Sequence, residues 1–199
     1  MLLLKKKKYN YVNYLEIGVH SGINIRKIIA EHKDGVDPGR EGVIAPETNY
    51  PITSNDFFDL IKGHNIKYDI IFVDGLHIDY QVYKDIINAL NHLQPNGTII
   101  CHDMNPMWEI TQKNVATENC GCWNGSCWKG WTKLRSERTD LEMYVVDTDH
   151  GCGVIRFGNQ EVINLPKNAY DLDFEYLDNN RKDILNLITV EEFFNKLND

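Results

Sequence analysis

The first half of the chain alternates between short runs of apolar residues and segments whose apolar residues recur at helical spacing. The apolar, β-branched runs predict strands, and the helical spacing predicts amphipathic helices. The run 68–74 is apolar almost throughout, which is typical of a strand buried on both faces of a parallel sheet. The predicted elements are, in order, a strand over 11–17, a helix over 23–32, a short strand ending at 38, a loop over 39–52, a helix over 55–62 capped by Ser54, a strand over 68–74, a helix over 79–93, a turn at 95–97 and a strand over 98–101.

This alternation decides the predicted fold class. Successive strand–helix–strand units are typical of α/β proteins with a doubly wound, Rossmann-like and mostly parallel sheet. The second half is less regular, and we expect no second domain in it. Its predicted parts are a loop-like segment over 104–130, a helix over 128–137, a hairpin of two strands over 141–147 and 153–157, and a last helix over 190–197.

The charge balance argues against a nucleic-acid partner. Asp and Glu outnumber Lys and Arg by 29 to 21, giving a net charge of −8, whereas a protein that binds phosphates needs a basic face. No apolar run approaches the roughly 20 residues that a membrane span requires. We therefore expect no nucleic-acid partner and no membrane span, and we leave a homo-oligomer open.

The cysteines and the first residues bear on location. The chain has five cysteines, an odd number, and its basic residues 5–8 follow the apolar residues 2–4, the reverse of a secretory signal. Both observations predict a cytoplasmic protein with reduced thiols. A structural zinc site is disfavoured because the paired C-x-x-C spacing is missing from the clustered cysteines, Cys120, Cys122, Cys127 and Cys152.

Two polar features follow the first two strands, at the strand ends where sheets of this kind bind ligands. Gly18 and Gly22 follow Glu16 with the spacing G-x-x-x-G, and glycine lets the backbone approach a ligand where the next helix begins. This spacing differs from the G-x-G-x-x-G that holds a pyrophosphate. Asp37 ends the next strand about 20 residues later, where a carboxylate can accept the ribose hydroxyls. Together they indicate a nucleoside ligand, although a tight turn alone also explains each feature.

A second cluster follows the next two strands. Asp74 and Asp103 each end a strand, and adjacent parallel strands lie about 4.8 Å apart, so we expect the two carboxylates to converge on one cation. Oxygen ligands suit Mg²⁺ or another hard divalent cation, and His102 is a further candidate ligand. His77 lies in the loop after Asp74 and is placed to accept a proton near neutral pH. Alternatively, Asp74 only caps the next helix and His77 is a surface residue.

The residues around both clusters resemble a known family. They look like the class I S-adenosylmethionine-dependent methyltransferases, and the nearest group is the small O-methyltransferases that include the macrocin-type sugar methyltransferases. The most specific part is the D-G-x-H-x-x-Y run that begins at Asp74, followed by His-Asp after the next strand. The segments that carry the resemblance are 14–22 (YLEIGVHSG), 35–38 (GVDP), 53–58 (TSNDFF), 68–77 (YDIIFVDGLH) and 93–103 (LQPNGTIICHD).

The resemblance implies a fold and an activity. The family fold is a seven-stranded sheet whose last hairpin includes an antiparallel strand, which 141–157 can supply. A single methyltransferase-like domain would cover 1–199, with a cofactor-binding half over 11–106 and the substrate lid and terminal hairpin over 107–199. The implied reaction is the O-methylation, by S-adenosylmethionine, of a hydroxyl of a sugar, glycan or related small molecule. A divalent cation and a histidine general base would assist it.

The resemblance also implies roles for the strand-end residues. His77 would be the general base, while Asp74 and Asp103 would take part in catalysis and hold the metal together with His102. The cofactor's methionine end would lie near Glu16, its ribose near Asp37 and its adenine near the start of the 55–62 helix. The residues implied for cofactor binding are Glu16, Gly18, His20, Ser21, Gly22, Asp37, Ser54, Asn55 and Asp74.

Two other functions stay open at this point. One is a nicotinamide-dependent oxidoreductase on a related sheet, although the missing third glycine of the pyrophosphate turn argues against it. The other is a non-catalytic nucleoside-binding module. Trp123, Trp128 and Trp131 fall in the segment expected to cover the strand ends, and their flat faces favour a sugar acceptor unless they only pack that segment.

Overall fold

The computed structural model of the chain describes residues 12–40, 42–115 and 122–198. Tyr11, the basic residues 5–8 and Cys120, which entered the sequence predictions, lie outside the described residues. The strands are β1 (Asn13–Ile17), β2 (His32–Val36), β3 (Tyr68–Val73), β4 (Leu93–Cys101), β5 (Leu141–Val146), β6 (Cys152–Phe157) and β7 (Leu187–Ile188). The helices are α1 (Ile23–Lys27), α2 (Ser54–Ile61), α3 (Asp79–Asn91), α4 (Cys127–Glu137), α5 (Phe174–Leu185) and α6 (Val190–Asn198), with short 3₁₀ turns at Glu109–Gln112 and Ala169–Asp171.

The seven strands form one mixed sheet in the order β2-β1-β3-β4-β6-β5-β7. Strand β1 pairs in parallel with both β2 and β3, so that Glu16 lies opposite Gly35 on one side and Phe72 on the other. Strand β5 pairs antiparallel with β6 and parallel with β7. The predicted Rossmann-like sheet and its C-terminal antiparallel hairpin are therefore confirmed.

The chain divides into two compact units. The first comprises Met1–Gly75 and Asp85–Ile99, and the second comprises Leu76–Lys84 and Ile100–Asp199. The expectation of one methyltransferase-like domain over 1–199, with its boundary near 106, stays a prediction. None of the described helices is long and apolar enough to cross a membrane.

The first unit has a core of aliphatic side chains from its central strands and of aromatic side chains from α2. Leu15 of β1 and Ile71 of β3 are fully buried, as expected for strands covered on both faces. Phe57 of α2 is also fully buried, and its ring makes edge contacts with Tyr50 and Phe58. This packing holds the carboxyl ends of β1, β2 and β3 in a fixed register.

The second unit is built around α4 and the β5–β6 hairpin. Trp131 of α4 is fully buried, and a Cβ atom at Gly153 of β6 would come within 2.6 Å of its ring. Glycine at 153 therefore allows the indole to lie directly on the strand. A further apolar cluster joins the hairpin to α6 through Tyr144, Val146, Val154 and Phe193.

The first helix is shorter than its apolar spacing predicted. The prediction of a helix over 23–32 was wrong beyond Lys27, because Ile28 adopts an extended conformation and β2 begins at His32. The ammonium group of Lys33 donates to the carbonyl oxygens of Ile25 (3.0 Å) and Ile28 (3.4 Å) where α1 ends. A cation there stabilises the C-terminus of a helix. The residues from His32 onward form β2 and pair with β1.

Two local predictions were wrong for reasons of backbone geometry. The N-cap of α2 is Thr53, whose hydroxyl accepts from the Asp56 amide (3.2 Å), and Ser54 is the first helical residue. The expected turn at 95–97 is part of β4. Neither Asn96 nor Gly97 is among the described residues with positive φ, which excludes the turn types that need a left-handed residue at these positions.

Helix α5 was absent from the sequence prediction, which treated the tail as polar up to 190. Its ends nevertheless carry recognisable signals. The carboxylate of Asp173 accepts from the Tyr176 amide (2.9 Å), and Asn186 ends the helix in the left-handed conformation. Its buried residues, Leu177, Ile184 and Leu185, are too few to stand out in a polar sequence.

Candidate active site

The turn after β1 is held tightly between the neighbouring strand ends. Gly18 has a φ of +90°, and a Cβ atom there would lie 1.9 Å from the carbonyl oxygen of Asp74. The Gly18 amide donates to the Val36 carbonyl (2.9 Å), and the Asp74 amide donates to the Ile17 carbonyl (2.9 Å). Only glycine fits this position, because the turn packs against the backbone of Asp74. The expected approach of this backbone to a ligand stays a prediction.

The remainder of this turn leads directly into α1. His20 has a positive φ of 46°, Ser21 accepts a hydrogen bond at its carbonyl from Arg26, and Gly22 caps the helix with a φ of 75°. A Cβ atom at Gly22 would come within 2.8 Å of the Glu47 carboxylate. The backbone from 18 to 22 is therefore compact, and side chains at its two glycines are excluded.

Asp37 joins this turn to the end of β2. Its carboxylate accepts from the backbone amides of His20 (2.7 Å) and Gly39 (2.7 Å), one at each oxygen. The residue thus has a structural function that the sequence did not reveal. A carboxylate oxygen has two lone pairs, so each oxygen retains the capacity to accept a ligand hydroxyl.

Glu16 is a buried carboxyl group next to the turn, with only 1% of its surface exposed. It accepts hydrogen bonds from the Tyr14 hydroxyl and from the Asn24 amide (2.8 Å). Burial raises the pKa of Glu16 to about 7, although these two hydrogen bonds oppose the shift. Tyr14 and Asn24 were not among the predicted site residues. Asn24 lies in the first turn of α1 and gives no distinctive signal in the sequence.

Ser54 and Asn55 occupy the first turn of α2, both half-buried. They follow the loop that begins after Asp37, as the sequence predicted. Their suggested position near an adenine stays a prediction.

His77 has a defined orientation in the second unit. Its Nδ1 atom lies 3.1 Å from the carbonyl oxygen of Trp123, and its ring stacks on the Trp123 indole with centroids 4.8 Å apart. A carbonyl oxygen can only accept, so Nδ1 carries a proton in this contact. The other ring nitrogen, Nε2, lies 3.4 Å from Oδ2 of Asp103 and is the atom through which the neutral ring can accept a proton.

Asp103 is the centre of the polar cluster in this unit. It is 4% exposed and has a φ of +64°, a conformation that aspartate tolerates better than most residues. Its Oδ1 accepts from the Asn124 side-chain amide (2.8 Å), and its Oδ2 lies 3.1 Å from Nδ1 of His102. Asn124 was missed from the sequence, because a lone asparagine in a loop indicates only a turn.

The β5–β6 hairpin approaches the same cluster. The carboxylate of Asp149 lies 3.6 Å from Nε2 of His102. The amides of Met104 and Asn105 donate to the carbonyls of Gly151 (3.0 Å) and His150 (2.8 Å). These bonds attach the hairpin turn to the segment that follows β4, although the two segments are far apart in sequence.

Asp74, His102 and Asp103 form a group with metal-ligand spacing. Each offers one ligand atom, and these three atoms lie within 4.8 Å of one another. Among the described residues no other such group, with or without cysteine, has this spacing. Two carboxylates and one imidazole suit a divalent cation, whose remaining positions water or an alcohol oxygen can fill.

The three tryptophans expected to cover the strand ends are not equivalent. Trp128 and Trp131 are fully buried, so neither presents a face to a ligand. Trp123 is half-buried, and its indole nitrogen donates to the Lys113 carbonyl. The predicted aromatic platform for a sugar therefore reduces to Trp123, one face of which lies against His77.

Comparison with known proteins supports the resemblance seen in the sequence. Residues 15–104 match the sequence model of a family described as a methyltransferase domain. By its strand order and by this partial match, the chain has the fold of the class I methyltransferases. No match to a curated protein sequence is found.

Solved structures with this fold have low sequence identity to the chain. An O-methyltransferase from Bacillus cereus, in complex with SAH, is 15% identical, with a TM-score of 0.55 over 77% of this chain and 76% of that one. TomG from Streptomyces achromogenes, an O-methyltransferase involved in tomaymycin synthesis and solved with SAM, is 13% identical, with a TM-score of 0.57 over 78% and 77%. MycE, from the mycinamycin biosynthetic pathway and solved with Mg and SAH, is 18% identical, with a TM-score of 0.52 over 83% of this chain and 50% of MycE.

Proposed function

We propose that this methyltransferase transfers the methyl group of S-adenosylmethionine to a hydroxyl oxygen of a small molecule, with His77 as general base. The observation that carries the proposal is the orientation of His77. Its Nδ1 faces a carbonyl oxygen, so the neutral ring has its basic nitrogen at Nε2, 3.4 Å from the buried Asp103 carboxylate. Two O-methyltransferases of the same fold were solved with SAH or SAM, and they support the choice of cofactor.

The turn after β1 fits the cofactor. The glycines at 18 and 22 remove side chains from the backbone, and Asp37 retains lone pairs for ribose hydroxyls. Because the pKa of Glu16 is raised to about 7, a nearby positive charge would favour its ionised form. We assign Glu16, Gly18, His20, Ser21 and Gly22 to the methionine end. The remaining assigned cofactor residues are Asp37 at the ribose, Ser54 and Asn55 at the adenine, and Asp74 beside the Gly18 turn.

The cofactor, when bound, supplies an electrophilic methyl carbon, which leaves its sulfur as the acceptor oxygen attacks. An alcohol is a poor nucleophile near neutral pH because its proton is held tightly. Nε2 of His77 accepts that proton as the oxygen–carbon bond forms, and the proton later passes to solvent. The Trp123 carbonyl fixes the ring, and the Asp103 carboxylate stabilises the imidazolium that results.

We propose that a divalent cation such as Mg²⁺ assists the reaction and that Asp74, His102 and Asp103 hold it. The spacing of their ligand atoms and the two carboxylates among them support this site. A bound cation lowers the pKa of an alcohol that it contacts and orients its oxygen. The presence of Mg in the MycE structure agrees with this assignment.

We propose a sugar, glycan or related small-molecule hydroxyl as the acceptor. MycE belongs to the mycinamycin pathway, and the half-buried Trp123 beside His77 is the aromatic face nearest the proposed base. A cytoplasmic location is also our proposal, supported by the odd number of cysteines, five. A homo-oligomer stays open.

A methyl-transfer assay tests the proposed function. The protein is incubated with S-adenosylmethionine carrying a labelled methyl group, Mg²⁺ and a panel of glycosides, free sugars and phenols. Formation of SAH together with a labelled ether is the expected result. Binding of NADH with no binding of S-adenosylmethionine would instead support the oxidoreductase. Cofactor binding without transfer to any of the acceptors would support the non-catalytic module.

A further inference from the structure

The side chain of Asn124 has one satisfied group and one unsatisfied group, both buried. Asn124 is 1% exposed. Its amide nitrogen donates to Oδ1 of Asp103 (2.8 Å), while its carbonyl oxygen is buried without a hydrogen-bond partner among the described residues. A buried carbonyl oxygen that lacks a partner destabilises the folded state, so a native protein seldom leaves one unused.

The position of Asn124 is fixed by contacts on both sides in the chain. The Trp123 carbonyl faces Nδ1 of His77, and the amide of Ser126 donates to the His77 carbonyl (3.1 Å). A Cβ atom at Gly125 would lie 1.9 Å from that same carbonyl oxygen. The backbone around Asn124 therefore has little freedom. The position of the unsatisfied Asn124 oxygen is fixed by these contacts and does not result from a mobile loop.

The hydrogen bond to Asp103 also distinguishes the nitrogen of the Asn124 carboxamide from its oxygen. A carboxylate can only accept, so the nitrogen of Asn124 faces Asp103, and the oxygen is the atom without a partner among the described residues. The oxygen thus belongs to the same planar group that touches one of the three residues with metal-ligand spacing.

We propose that the side-chain oxygen of Asn124 is a further ligand of the divalent cation at Asp74, His102 and Asp103. This inference rests on the cation assigned under the proposed function. Amide carbonyl oxygens are ordinary ligands of hard divalent cations. The donor set then becomes two carboxylates, one imidazole and one amide oxygen, with the amide nitrogen also orienting the Asp103 carboxylate.

Burial favours a cation over the acceptor molecule as the partner of this oxygen. An acceptor must enter and leave the site, and therefore needs an open path to the groups it contacts. The Asn124 oxygen is shielded from solvent, and its neighbour Asp103 is nearly so. A small ion can contact a shielded oxygen that a sugar cannot contact directly.

Binding of Mn²⁺ alone, without cofactor or acceptor, tests the inference. Titration calorimetry and the loss of the free-ion EPR signal give its affinity for the wild type, Asn124→Ala, Asn124→Asp and Gln112→Ala. Gln112 is the matched control, because its side-chain oxygen accepts from the Trp128 indole (2.8 Å) and Gln112→Ala removes a contact of the same segment without touching Asp103.

We expect Asn124→Ala to weaken Mn²⁺ binding by about tenfold or more, and Gln112→Ala to change it by less than about twofold. Asn124→Asp keeps an oxygen ligand but places a second carboxylate against Asp103. It should bind Mn²⁺ at least as tightly as the wild type, and Mn²⁺ should raise its Tm by more than it raises that of the wild type. This thermal shift decides the matter even where Asn124→Ala does not fold.

Three results would overturn the inference. Wild-type affinity in Asn124→Ala would show that the oxygen is not a ligand. Equal weakening in the Ala and Asp variants would show that the side chain only positions Asp103. If the wild type binds no Mn²⁺, both this inference and the proposed cation fail, and methyl transfer that persists in EDTA would show that the proposed transferase activity stands without them.

Discussion

His77 and Asp103 face each other across 3.4 Å, with the imidazole Nε2 opposite a carboxylate oxygen, while the other ring nitrogen faces the Trp123 carbonyl. The two residues come from the loop before α3 and from the end of β4. This arrangement fixes one tautomer of the neutral ring and stabilises the ring once it is protonated. These are the properties required of a general base.

The proposed base predicts a specific loss in His77→Ala. Turnover should fall by about 10²–10⁴-fold, since proton transfer to a positioned base typically contributes that much. Cofactor affinity should stay within about twofold, because His77 is not among the residues assigned to the cofactor. Steady-state kinetics and calorimetry measure the two effects, with the exposed His64→Ala as the control. An undiminished rate in His77→Ala would show that the assignment is wrong.

Asp37→Ala should weaken the binding of S-adenosylmethionine. The substitution removes the ribose acceptor and also releases the amides of His20 and Gly39. We expect the calorimetric Kd to rise by about tenfold or more, which corresponds to the loss of a charge-assisted hydrogen bond. Asp34→Ala is the matched control, since Asp34 lies in β2, which ends just before Asp37, and its carboxylate accepts from the Tyr68 hydroxyl (2.7 Å). An unchanged Kd in Asp37→Ala contradicts the ribose assignment.

The Gly18 turn predicts a large difference between two glycine substitutions. Gly18 and Gly63 both have positive φ, but only a Cβ at Gly18 meets backbone atoms, whereas nothing lies within 4 Å at Gly63. Gly63→Ala should lower the free energy of unfolding by about 1–2 kcal/mol, the cost of the left-handed conformation. Gly18→Ala should lower it by at least about 2 kcal/mol more, because the strand ends must separate. Urea denaturation compares them, and equal losses would refute the close approach.

Glu16 should make stability depend on pH in a defined direction. The pKa of Glu16 is raised in the folded state from its ordinary 4.5 to about 7, so the folded protein binds this proton more tightly than the unfolded chain does. The resulting stabilisation is complete below pH 4.5 and is lost as the pH rises through 7. It amounts to on the order of 3 kcal/mol. Denaturation of the wild type and Glu16→Gln at pH 5, 6, 7 and 8 measures it, and parallel profiles for the two proteins would contradict it.

Removal of divalent cations should separate chemistry from cofactor binding. EDTA should lower turnover by about a hundredfold or more, since a cation contributes several kcal/mol to activation of the acceptor oxygen. The Kd of S-adenosylmethionine should change little. Added Mg²⁺ should restore turnover in the wild type and not in Asp103→Ala. Full activity in EDTA would remove the cation from the mechanism.

Much of the first unit could be predicted from the sequence because its evidence is local. The apolar run 68–74 and the helical spacing in α3 specify elements within a few residues of their observed bounds. The strand-end position of Glu16, Asp37 and Asp74 follows from the parallel topology, which places all carboxyl ends at one edge. The error at α1 arose because helical spacing over 23–32 does not reveal that residues from 32 onward pair with β1.

The second unit was less predictable, since its contacts join segments that are distant along the chain. Asn124 approaches Asp103 from 21 residues away, and the hairpin turn reaches the end of β4 from still farther. Nothing in the sequence distinguishes Trp123, which stacks on the base, from Trp128 and Trp131, which are fully buried.

The sequence by itself determined the alternation of strands and helices in the first half of the chain, the mostly parallel sheet and the ionisable residues at its strand ends, because periodicity and strand termini are properties of neighbouring residues. Only the tertiary structure decided the tautomer of His77, the raised pKa of Glu16 and the unsatisfied oxygen of Asn124. Each of these depends on burial and on hydrogen bonds between segments that the chain brings together only when it folds.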